Sequence, residues 1–200
     1  VQNELRRRGV KVRTGSLLKE ISKAGESLHL SFEKGSISAD CIILAAGVIP
    51  ETRLALTAGL ECGPSGGIRV DRNLRSSRKE IYAVGDCAES INLISGKHEY
   101  WPLGSVSTKM GRIAADNICG IESPFTGSLG TAYMRFFDLR LARSGLTSRA
   151  AREAGFDPCS LVISAELSSN AAESRPVFIK VIADSANQKL LGVQGFGSAE

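Results

Sequence analysis

Ile81-Tyr82-Ala83-Val84-Gly85-Asp86-Cys87-Ala88-Glu89 decides how this 200-residue chain is read. Four apolar residues run into a glycine, then an aspartate. Unbroken apolar runs of this length suit a strand buried on both faces of a parallel sheet covered by helices. The stretch therefore predicts a carboxylate just past the carboxyl end of a strand, where open α/β sheets bind ligands. Gly85 lets another molecule approach the backbone closely. An ionised Asp86 only accepts hydrogen bonds, so it suits the hydroxyls of a sugar-like ligand. Asp is equally a favoured helix N-cap, and the local sequence leaves both readings open.

Outward from that stretch, residues 41–47, Cys-Ile-Ile-Leu-Ala-Ala-Gly, form a second apolar run ending in glycine and predict another doubly buried strand. Before it, Val1 and Leu5 make an apolar helix face with Gly9 as its stop, and Val10 and Val12 alternate as a strand does. Short strands are expected at 17–21, at 28–32 and around Ile37, with turns at Ala24-Gly25 and Lys34-Gly35. A short helix is expected over 52–58 and a loop over 91–101. Val106, Met110, Ile113, Ala114 and Ile118 then share one face of a helix running from Ser105 to about Cys119.

Past Pro124 the pattern changes to short strands at 131–137 and 141–143. A helix capped by Thr147 runs to Ala154, and antiparallel strands follow at 161–165, 177–182 and 190–193. The fold class expected is α/β plus α+β, with Rossmann-like remnants followed by a mixed α+β domain. The divisions expected are 1–46, 47–125 and 126–200.

Composition narrows the function classes. A net charge of +4 with 21 acidic residues among the 25 Lys and Arg argues against a nucleic-acid partner. The one basic run, Arg6-Arg7-Arg8, reads as a solvated helix end. No apolar stretch approaches the roughly 20 residues needed to cross a membrane. Five scattered cysteines without a Cys-x-x-Cys, beside only 2 histidines, argue against a metal site and fit reduced thiols in the cytoplasm. The start lacks both an initiator Met and a signal-peptide plan, and the end, Gly197-Ser198-Ala199-Glu200, follows a strand pattern, so the chain reads as a piece of a longer protein.

Four segments in order carry a family resemblance. These are Ala45-Ala46-Gly47-Val48-Ile49-Pro50, Gly66-Gly67-Ile68-Arg69-Val70-Asp71, the stretch from Ile81 to Asp86, and Trp101-Pro102-Leu103-Gly104-Ser105-Val106-Ser107-Thr108-Lys109-Met110-Gly111-Arg112. Together they resemble the C-terminal half of the FAD- and NAD(P)-dependent disulfide oxidoreductases. Gly130-Thr131, Phe136-Phe137-Asp138, Ser144-Gly145-Leu146-Thr147 and Leu190-Leu191-Gly192-Val193-Gln194 resemble the dimerisation domain of the NADH oxidase, NADH peroxidase and coenzyme A-disulfide reductase branch.

The resemblance implies a flavoprotein that passes electrons from NAD(P)H through FAD to a disulfide, persulfide, peroxide or oxygen. It implies a homodimer formed through the C-terminal domain. Asp86 is then the ribitol ligand, and Gly47 and Gly85 admit the cofactor. Cys87 and Leu103-Gly104 flank it, and Ser105 and Val106 open a helix whose positive end faces the flavin ring. The chain also departs from the family pattern. Neither Gly-x-Gly-x-x-Gly phosphate turn is present, and no cysteine here matches the family's redox cysteine. Arg78-Lys79-Glu80 stands where Pro or Gly is common, and Glu51 replaces the usual Asn. The alternative is that this stretch alone serves as a non-catalytic dimerisation module.

Overall fold

The computed structural model describes residues 1–166 and 176–198, so Ala199 and Glu200, included in the terminal reading above, lie outside the described residues. The chain forms two compact units, Val1–Gly47 and Val48–Glu200.

The first unit holds helix α1 (Gln2–Arg7) and a three-stranded antiparallel meander of β1 (Leu18–Ala24), β2 (Ser27–Phe32) and β3 (Ser36–Ala39). Glu4 accepts from Arg7 and Arg8 across one helical turn, and these bonds hold its carboxyl below the usual range. Gly9, at φ +79°, ends the helix in the left-handed conformation that glycine tolerates. The meander follows the expected strands.

Two expectations fail in this unit. Val10 and Val12 are in no strand, and neither are residues 41–47. Ile43 and Leu44 are exposed rather than buried on two faces. A parallel strand is defined by its neighbours, and no described strand lies beside this run.

The second unit opens with α2 (Arg53–Thr57) and an irregular stretch closed by single bridges, Cys62 with Ile68, Ile68 with Ala88, and Arg75 with Tyr82. Ile81–Val84 is thus not the buried parallel strand expected. It makes one antiparallel bridge and runs into a 3-10 turn, Gly85–Cys87. The apolar side chains of this region are nonetheless core. Leu74, Ala83 and Ala88 cluster with Val106, Met110, Ile113 and Ala114 of α3 (Gly104–Ile118). Helix α3 buries the stripe its spacing predicts, except for the exposed Ile118 in its last turn.

Residues 91–101 are not all loop. A hairpin pairs β4 (Glu89–Ile91) with β5 (His98–Tyr100). It escapes a hydropathy reading because polar groups hold its turn. The buried Asn92 side chain accepts from the Ile94 and Ser95 N–H groups and donates to Glu99.

The remainder is a five-stranded antiparallel sheet in the order β6-β7-β10-β9-β8. Its strands are β6 (Ala132–Phe136), β7 (Leu139–Gly145), β8 (Pro158–Glu166), β9 (Pro176–Asp184) and β10 (Leu190–Ser198). Helix α4 (Ser148–Glu153) packs Ala151 on Leu146, Ile182 and Leu191, all buried. The Thr147 side chain caps it, accepting from the Ala150 N–H at 3.1 Å. The fold is thus mixed, and its sheets are antiparallel. Parallel pairing among the described residues is confined to two isolated bridges.

Candidate functional site

The site grows from the packing of the Gly85–Cys87 turn against the first turn of α3. Gly85, at φ +73°, bends the chain where an L-residue is strained, and a Cβ there would touch Ser107 at 3.4 Å. The bend carries Asp86 to an exposed position beside the helix. Ser107 donates its hydroxyl to Asp86 Oδ1 at 2.7 Å, a short charge-assisted bond that fixes the carboxylate. The same hydroxyl lies 3.2 Å from the Leu103 carbonyl, its second acceptor in reach.

The N-terminus of α3 offers the complementary charge. Leu103 stands at the N-cap with no side-chain cap, and its carbonyl accepts from both the Val106 and Ser107 N–H groups at 2.9 Å. The N–H groups of Gly104 and Ser105 precede those bonds at the positive end of a 15-residue helix. Gly104 and Ser105 are exposed, whereas Val106 turns its side chain into the core. Ser105, Val106 and Lys109 also line a cleft of about 290 Å³ with Phe125 and Leu129.

The other expected residues are placed as follows. Cys87 is half-buried, and its thiol donates to the Val84 carbonyl at 3.3 Å. Leu103 packs on the core cluster. Gly47, at φ +100°, closes the first unit. The structure thus brings Gly85, Asp86 and Cys87 together with the α3 start within the second unit.

Two residues at this place carried no signal in the sequence reading. Ser107 shares only its position on α3 with the expected set, and its tie to Asp86 spans 21 residues of chain. Tyr100 lies close enough for Asp86 and Cys87 to act on it. Burial, with those two groups adding, holds the Tyr100 phenol above its ordinary range. Among the described residues no group of His, Cys, Asp and Glu is arranged to hold a metal ion. No helix there is long and apolar enough to cross a membrane.

The second unit thus joins an exposed carboxylate on a glycine turn, set against a helix N-terminus, to a five-stranded antiparallel sheet. Comparison with known proteins gives the family. Residues 1–108 match the model of the pyridine nucleotide-disulphide oxidoreductases, and residues 131–200 match the dimerisation domain of the same proteins. The chain belongs to the pyridine nucleotide-disulphide oxidoreductase family, in the branch that holds NADH oxidases and persulfide reductases.

The Pyrococcus furiosus NAD(P)H sulfur oxidoreductase (CoA-dependent) is 35% identical over 165 residues, which is 82% of this chain and 37% of that protein. Two solved structures superpose closely. One is an NAD-dependent persulfide reductase from A. fulgidus, with TM-score 0.93 and 32% identity over 99% of this chain and 37% of its own. The other is an FAD-dependent pyridine nucleotide-disulphide oxidoreductase from Desulfovibrio vulgaris, with TM-score 0.82 and 31% identity over 98% of this chain and 47% of its own. The chain therefore spans 37% to 47% of the length of these relatives.

Proposed function

We propose that this chain is the C-terminal part of a flavoprotein that passes electrons from NAD(P)H through FAD to a disulfide, persulfide, peroxide or oxygen. The observation that carries the reading is the joining of Asp86, held by Ser107, to the open N-terminus of α3. An exposed carboxylate suits ribitol hydroxyls, and free helix N–H groups suit an anionic ring edge. The residues present thus fit the ribitol and ring side of FAD. When bound, FAD supplies the hydride and electron chemistry, and the protein supplies binding and electrostatics.

In this reading Asp86 holds the ribitol, and Gly85 gives it room. Gly104 and Ser105 offer N–H groups to the ring, Val106 anchors that turn in the core, and Leu103 and Cys87 wall the site. Gly47 serves the crossing from an NAD(P)-binding remnant, residues 1–46, into an FAD-binding remnant, residues 47–125. Residues 126–200 are the interface domain of a homodimer. An exposed apolar strip on its sheet supports that role. Tyr133, Met134, Val162 and Phe178 line a groove of about 430 Å³ and remain largely exposed in the single chain.

A second reading, in which this stretch by itself is only a dimerisation module, is favoured by the lack of any Gly-x-Gly-x-x-Gly turn in its 200 residues. Flavin spectra separate the two. The full-length protein, made to the length of its relatives, is expected to purify yellow and to bleach under anaerobic NADH or NADPH. The 200-residue chain mixed with FAD is expected to bind it weakly. A colourless full-length protein that takes up no added FAD overturns the flavoprotein reading, and tight stoichiometric binding by the short chain overturns the module reading.

A further inference from the structure

Glu89 is a charged residue with no exposed surface, three positions beyond Asp86. Its Oε1 accepts from the Ser65 N–H at 2.8 Å and from the Ser65 hydroxyl at 2.5 Å. Among the described residues its Oε2 has no hydrogen-bond partner and faces His98 Nδ1, also without one, at 3.8 Å. The loop is shaped to receive it. A Cβ on Gly63 would overlap the carboxylate, and a Cβ on Gly67 would sit 3.0 Å from Glu89 Cγ. Backbone bonds continue the joint, with Ile68 N–H donating to the Cys87 carbonyl at 2.7 Å and Glu89 N–H to the Ile68 carbonyl at 2.9 Å. Glu89 also pairs across the hairpin with Tyr100, the phenol on which Asp86 acts.

We propose that Glu89 is a positioning residue whose buried carboxylate binds the Gly63–Gly67 loop to the turn carrying Asp86, holding that turn in its binding shape before any cofactor arrives. Burial of a carboxylate is costly unless hydrogen bonds compensate, so a space-filling role alone is better served by Leu. A carboxylate is retained where its acceptors do something an apolar group cannot. Here Oε1 alone captures both donors of Ser65, a residue that is otherwise at the surface. The inference rests on the reading of Asp86 as a cofactor ligand for its functional meaning, and on the loop geometry alone for its structural claim.

The test is site-resolved amide exchange on the 200-residue chain with Glu89→Leu, Glu89→Gln and Ser65→Ala. Gln keeps an acceptor for Ser65, and Leu keeps only volume. Exchange at Ile68 and Ala88 is expected to accelerate about tenfold in Glu89→Leu and about threefold in Ser65→Ala, with Glu89→Gln near wild type, as local opening free energies respond to lost hydrogen bonds. Amides of β9 and β10 should not change. Equal acceleration in Leu and Gln variants, or none in either, overturns the proposal. If Glu89→Leu does not fold, Ser65→Ala decides in the same way, and unchanged exchange there overturns it. In the full-length protein FAD affinity should fall in Glu89→Leu and not in Glu89→Gln. An Asp86→Ala variant with unchanged FAD affinity instead defeats the ribitol reading while leaving the exchange result standing.

Discussion

Replacing Ser107 by Ala separates orientation of the Asp86 carboxylate from stability of the fold. The bond removed is 2.7 Å long and charge-assisted, which places it among the stronger side-chain bonds. Asp86 is exposed, however, so water competes for the carboxylate, and the low range of about 0.5–1.5 kcal/mol applies. That range corresponds to a FAD affinity about two- to twelvefold weaker. Stability moves little, because Ala improves helix propensity by about half a kcal/mol and offsets part of the loss. The assay is FAD titration by fluorescence quenching on the full-length apoprotein, alongside thermal melts, for Ser107→Ala, Asp86→Ala and the double variant. If Ser107 acts through Asp86, the double variant binds FAD no more weakly than Asp86→Ala alone. Additive losses, or unchanged affinity in Ser107→Ala, show that Ser107 does not act through Asp86.

Two further outcomes follow from the geometry. The Tyr100 phenol is held above its ordinary range by burial and by Asp86 and Cys87, so the folded state keeps its proton where the unfolded chain loses it. Stability is therefore expected to decline as pH rises above about 10, the unfolded tyrosine value, and Tyr100→Phe should flatten that alkaline limb in pH-dependent melts. A limb of unchanged slope in Tyr100→Phe contradicts this. Gly192→Ala is expected to lower Tm by about 6–12 °C, from about 3 kcal/mol of overpacking, because its Cβ would press into the Leu146 backbone carbonyl where β10 meets β7. A melt within 2 °C of wild type, by differential scanning calorimetry, contradicts that packing; the figure is about the shift expected of a surface change.

The sequence made some elements legible because their signals are local. Thr147 followed by Ser-Arg-Ala-Ala predicts a capped helix, and the Thr147 hydroxyl caps it. The stripe from Val106 to Ala114 predicts the buried face of α3, and it is buried. The apolar runs at 41–47 and 81–84 misled for a non-local reason. A run of Ile, Leu and Val records a preference for burial, but pairing depends on neighbouring strands, and none is described beside either run. The hairpin at Glu89–Tyr100 carries no hydropathy signal because buried Asn92 and half-buried Glu99 replace the apolar alternation by which strands are read. At the site, Gly85-Asp86 and the α3 start stood out through glycine and helix-start chemistry. Ser107, Tyr100 and Glu89 did not, because their interactions run across 21, 14 and 24 positions of chain: hydrogen bonds for Ser107 with Asp86 and Glu89 with Ser65, and charge alone for Tyr100 with Asp86.

The Asp86 turn and the start of α3 are proposed as the ribitol and ring side of an FAD site. FAD affinity of the full-length protein with Asp86→Ala, set against wild type and against melts of both, tests it most directly. Loss of hydrogen bonds from a charged acceptor predicts binding about 12- to 150-fold weaker, with Tm little changed. Wild-type FAD affinity in the Asp86→Ala protein contradicts the claim.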